Sequence, residues 1–65
     1  MSDLRVGTIV FLDNENQLGV IEDENAQDIM FELQDLPKRI NVYDMVSFEI
    51  AFSDDGLKAI NITPH

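Results

Sequence analysis

Few residues in this chain are of types that do chemistry, and their spacing limits them further. Asp13, Glu15, Gln17 and Glu24 fall at the first, third, fifth and twelfth positions of a calcium-loop pattern. Such a loop needs glycine at its sixth position for a sharp turn, and Leu18 stands there. Glu22-Asp23-Glu24 is an acidic triplet able to hold a cation only weakly, and it reads as a solvated turn. Ser2, Ser47 and Ser53 are the available serine hydroxyls, with one histidine, His65, as a potential base. No spacing links them in a known nucleophile pattern, and no glycine-rich phosphate loop occurs. There is no cysteine, which excludes disulfides, thiolate zinc sites and cysteine nucleophiles. Lys38-Arg39 is the one adjacent pair of cations. It can touch one or two phosphates, although its ordinary role is solubility. No catalytic residue, metal ligand or cofactor site is assigned, and the chain is read as a non-enzyme.

The elements that would position any site must come from 65 residues with a formal charge of −9. That length allows one domain, residues 1–65. A hydrophobic content of 45% fits a globular chain rather than a disordered one. The longest apolar run, Val6 to Leu12, falls far short of the roughly 20 residues of a membrane-spanning helix. The opening Met1-Ser2-Asp3-Leu4-Arg5 has no secretory pattern, so a cytoplasmic location is the default and the Asn61-Ile62-Thr63 acceptor carries no meaning.

Strand signals dominate. Val6 to Leu12 is rich in β-branched residues, and Leu18 to Ile21 and Asp28 to Leu33 read as the second and third strands. Pro37 limits any helix after Leu33 to a single turn or 3₁₀ piece. In Met45 to Phe52, Val46, Phe48 and Ile50 alternate with Ser47, Glu49 and Ala51, the period of a half-buried strand. Ser53-Asp54-Asp55-Gly56 carries the Asp-Gly hairpin signal, and Leu57 to Thr63 forms the fifth strand, stopped by Pro64. Tyr43 is expected to cap one barrel end, with a stacking group beside Phe11 as its functional alternative, and Phe52 to belong to the barrel-end core. A chain this short, without disulfides, stabilises itself best by closing its sheet. The expectation is an all-β, five-stranded antiparallel Greek-key barrel.

At this point the chain resembles the bacterial cold-shock domain, an OB-fold barrel, over Val6 to Thr63. Gly7-Thr8-Ile9-Val10-Phe11-Leu12-Asp13 is similar to that family's opening strand. Asn16-Gln17-Leu18-Gly19-Val20-Ile21 and Asp28-Ile29-Met30-Phe31-Glu32-Leu33 occupy the places of its two RNA-binding motifs. Val46-Ser47-Phe48-Glu49-Ile50 and Gly56-Leu57-Lys58-Ala59-Ile60-Asn61-Ile62 match its later strands. Positions that point inward in the family stay apolar here: Ile9, Ile21, Ile29 and Phe31. Positions that form its nucleic-acid face have changed class. Thr8, Val10 and Asn16 replace lysines, and Phe11 replaces tryptophan. Leu18, Val20 and Met30 replace the stacking phenylalanines, while Glu32 replaces histidine.

The resemblance implies a weak single-stranded RNA or DNA binder using the face of strands one to three: Val10, Phe11, Leu18, Val20, Met30 and Glu32, with Lys38 and Arg39 as phosphate contacts. The residues themselves support a second function. A stacked base contributes about 1–3 kcal/mol, and Leu, Val and Met have no π-face. Lost lysines also remove counterion release. What remains is an aliphatic surface suited to a protein partner or to self-association, in a monomer or weak homodimer. A register slip of one residue would place this surface in the core instead.

Overall fold

The computed structural model describes residues 4–54 and 56–65. Ser2 and Asp55, drawn into the sequence reading, lie outside them. Five strands form: β1 (Arg5–Asp13), β2 (Leu18–Asp23), β3 (Asp28–Glu32), β4 (Met45–Ser53) and β5 (Gly56–Pro64). One 3₁₀ turn, Leu33–Asp35, follows β3. The sheet closes on itself in the order β1-β2-β3-β5-β4, an OB-like small barrel.

The barrel is mixed, which corrects the purely antiparallel expectation. β3 and β5 run parallel and meet at a single residue pair, Met30 with Lys58. The other neighbours, β1 with β2, β2 with β3, β1 with β4 and β4 with β5, are antiparallel. Closure between the third and fifth strands is non-local, and the crossover between them, through the 3₁₀ turn and β4, is long enough for the parallel direction.

The core follows the period-2 alternation. Ile9, Ile21, Ile29, Phe31, Val46, Phe48, Ala59 and Ile62 are buried, and Ile40 from the loop before β4 joins them. Leu12, Leu33, Leu36 and Ile50 are partly buried and pack against this cluster. Phe52 does not: it is 85% exposed. The β4–β5 hairpin runs past the body of the barrel, so the inward direction at Phe52 opens onto solvent. Tyr43 is likewise exposed, at 77%, rather than seated as a cap.

Two turns show how polar residues shape the barrel ends. After β1, the Asp13 carboxylate accepts hydrogen bonds from the backbone N–H of Glu15 and Asn16 and from the Asn16 side chain. The Asn16 side-chain amide, and then its backbone N–H, hold the Asp13 carboxyl below its ordinary pKa. After β2, Asp23 accepts from the N–H groups of Asn25 and Gln27 at 2.9 Å each. The acidic triplet is therefore not uniformly solvated, because the Asp23 side chain is 3% exposed. Pro64 ends β5 from within, as its last residue.

Candidate functional site

The outer surface of β1–β3 can be built from the strand register. Alternate residues along each strand share a face, and register decides who lies beside whom. Thr8 pairs with Glu22, and Glu22 with Asp28. Phe11 pairs with Val20, and Val20 with Met30. Asp13 pairs with Leu18, and Leu18 with Glu32. The face is thus three rows of three, with an apolar middle row between two rows that carry carboxylates.

A β-bulge puts one more apolar residue on this face. The register slips between Ile9 and Phe11, so that Val10 has no partner of its own on β2. Ile9 points into the core, Val10 and Phe11 both stand at the outer surface, and Leu12 turns back toward the core. Without the extra residue, strict alternation would place only one of Val10 and Phe11 outside. Phe11 and Met30 are about half exposed, at 50% and 52%, while Leu18 and Val20 are half-buried between their neighbours. The structure therefore brings Val10, Phe11, Leu18, Val20, Met30 and Glu32 onto one face, and the register slip that would have buried them does not occur.

Beyond β3 the middle row continues to Lys58 on β5. Its ammonium donates to the Glu32 carboxylate at 3.2 Å. Lys58 is the leading cause that lowers the Glu32 pKa, followed by the Gln34 side-chain amide. Both groups are solvent-accessible, so the pair fixes geometry more than it adds stability. Between the β1–β2 turn and the β4–β5 hairpin lies an open groove of ≈ 490 Å³. Leu18, Met30, Phe31 and Leu57 give it an apolar lining, and Gln17, Gln34, Ser53 and the Glu32–Lys58 pair give it polar groups.

Lys38 and Arg39 stand apart. They are the exposed central residues of a turn closed by Ile40 N–H on the Pro37 carbonyl, outside the three rows and the groove. Arg5 lies at the far end of β1, 4.0 Å from Asp23. Among the described residues, Lys58 is the one cation that adjoins the face, and Glu32 already engages it.

Leu57 and Lys58 border this region without having been read from sequence as members of the face. Leu57 sits just after the hairpin, where alternation alone does not say which surface it joins. Tyr43 is the third residue of a turn closed by Asp44 N–H on the Asn41 carbonyl. Its φ of +75° is the left-handed conformation that type II turns demand there and that glycine supplies without strain. Its N–H donates to the Ile9 carbonyl at 2.6 Å, which holds the Tyr43 backbone beside β1 next to the bulge.

The calcium-loop spacing dissolves in three dimensions, because Asp13 serves its own turn while Glu24 lies beyond the opposite end of β2. Among the described residues, no group of three His, Cys, Asp or Glu side chains converges on a metal position. Ser47 and His65 do meet, with Ser47 Oγ and His65 Nδ1 sharing a hydrogen bond of 3.1 Å. Ser47 is buried and neither residue lines the groove beside β3, and the contact fastens the end of β5 to β4. Among the described residues, no helix is long and apolar enough to cross a membrane. In comparison with known proteins, no family model matches the chain and no curated protein matches it. Its class therefore rests on the fold: a small, acidic, OB-like β-barrel.

Proposed function

We propose that this barrel is a non-catalytic protein-interaction module that docks a partner on the outer face of β1–β3. One observation carries the reading. The face presents Val10, Phe11, Val20 and Met30 as a continuous apolar row, bordered by carboxylates, and among the described residues the one neighbouring cation, Lys58, is bound to Glu32. Exposed apolar patches rimmed by polar residues are characteristic of docking surfaces. Single-stranded nucleic acid asks for the reverse: a cationic track for phosphates and aromatic planes for bases.

A specific feature favours nucleic acid as the second reading. Phe11, Tyr43 and Phe52 are each at least half exposed, so three rings are open to stacking. Stacking without a phosphate track leaves a weak binder, because backbone electrostatics dominate non-specific affinity. The resemblance to cold-shock domains supports this reading, and the charge of −9 opposes it.

Titration with a short single-stranded pyrimidine oligonucleotide at low salt, followed by amide chemical shifts, separates the two. Docking of protein as the main role predicts no shifts on β1–β3 at millimolar oligonucleotide. Micromolar binding there that weakens with salt would overturn the proposal in favour of nucleic acid.

A further inference from the structure

We infer that the partner segment docking on this face is a cationic amphipathic helix, a conclusion that rests on the docking reading above. Charge favours a cationic partner. Glu22 and Asp28 are direct cross-strand neighbours on the outer face, and among the described residues neither pairs with a cation. Like charges directly opposite one another destabilise a sheet. A ligand that brings lysine or arginine alongside them relieves this repulsion as it binds. The opposite border is weaker, since Lys58 offsets Glu32 and Asp13 is occupied with its own turn. Complementarity is therefore directed, with the strongest demand for cations on the Glu22–Asp28 side.

Spacing favours a helix. The apolar row crosses three strands, so its members lie about 4.8 Å apart and span about 10 Å. Helix positions i, i+4 and i+7 cover about 10 Å at 1.5 Å per residue. An extended segment sets same-side residues about 6.8 Å apart and falls out of step with the row. The carboxylate rows lie two residues along the strands, about 6.8 Å from the apolar row, close to the radius of a helix with its side chains. Strand addition cannot reach the middle of the row, because β2 is paired on both edges by β1 and β3; the one largely open edge is that of β3, which meets β5 at a single pair. Contact through side chains on a helix face remains, in the manner of other apolar-anchored helices.

The experiment uses the full chain, isotope-labelled, and two synthetic helical peptides. Both carry leucine at i, i+4 and i+7; one has lysines on the flanks and the other has glutamines in their place. The lysine peptide is expected to shift the amides of Val10, Phe11, Val20, Met30, Glu22 and Asp28. Its affinity should exceed that of the glutamine peptide by about tenfold, in line with two modest charge pairs. The double variant Glu22→Gln, Asp28→Asn should remove most of that difference, and its thermal melt establishes that it folds. Equal binding of both peptides would overturn the cationic assignment while the docking face stands. Shifts confined to other acidic surfaces, unchanged in the double variant, would also overturn it. Absence of any shift on β1–β3 with either peptide would overturn both this inference and the docking reading.

Discussion

Replacing Gly19 by alanine tests whether the barrel wall is packed as the register requires. Gly19 lies on the inner side of β2, paired with Leu12 on β1 and Phe31 on β3. An added Cβ would overlap the Phe31 ring at Cζ and lie 2.8 Å from Cε1 and 2.9 Å from the Phe11 carbonyl oxygen. Neither obstacle yields easily. The Phe31 ring is 1% exposed and surrounded by core residues, and the carbonyl belongs to the bulged backbone of β1. Overpacking of this sort costs about 1–3 kcal/mol, and two rigid neighbours put the expected loss near about 3 kcal/mol.

For a domain of this length total stability is on the order of 3–10 kcal/mol, so such a loss is a large share of it. At about 4–8 °C per kcal/mol, Tm should fall by about 12–24 °C. Thermal unfolding followed by circular dichroism reads this directly. A fall below about 4 °C would refute the packing argument. Pairing Gly19→Ala with Phe31→Leu sharpens the test. The shorter side chain removes the ring atoms while the Phe11 carbonyl stays, so the double variant should recover about 1 kcal/mol relative to additivity. Strict additivity would show that the ring is not the obstacle.

Asp23→Ala should lower stability by about 2 kcal/mol, because two turn N–H groups lose a buried acceptor, and Asp23→Asn should cost less since it keeps one; urea midpoints compare them. Tyr43→Gly should raise the urea midpoint by about 0.5–1 kcal/mol equivalent, as glycine relieves the φ of +75° and an exposed ring loses few contacts. A lower midpoint would mean that the ring packs in a way its exposure does not reveal. The lowered pKa of Glu32 makes its pairing with Lys58 stabilising above the ordinary carboxylate pKa and lost as pH falls through the folded value. The Tm difference between the wild type and Lys58→Met should accordingly narrow as the pH is lowered from about 6 to about 3.

What was legible in the sequence was mostly local. Val46, Phe48 and Ile50 alternate with polar or small residues, and Ile9, Ile21, Ile29 and Phe31 lie on the inner face as the resemblance implied. The 3₁₀ turn before Pro37 follows from proline chemistry. The parallel meeting of β3 and β5 has no local signal, since it depends on how the long connection closes the barrel. Phe52 continues an inward alternation, yet the hairpin carries it past the end of the core. Asp23 sits between two exposed glutamates, and composition hides that its carboxylate organises the turn from inside. On the candidate face, residue types were readable from the strand pattern and the resemblance. The rows required register, and so did the pairing of Lys58 with Glu32.

The bulge at Val10 ties these levels together. Core packing demands Ile9 and Leu12 on the inner side of β1, an interval of three residues that alternation forbids. The extra residue satisfies both, and its consequence is external: two adjacent apolar side chains emerge side by side at the start of the middle row. Neither is needed to fill the barrel, and solvation alone would favour polar residues at both positions. The same strand places Thr8 and Asp13 outside on either side of them, so polarity is restored as soon as the row ends. An apolar row that the core does not use, held in register by a bulge and bordered by carboxylates, has a physical rationale when a partner covers it. In the docking we propose, the row would supply the contact area and the acidic border would disfavour anionic ligands.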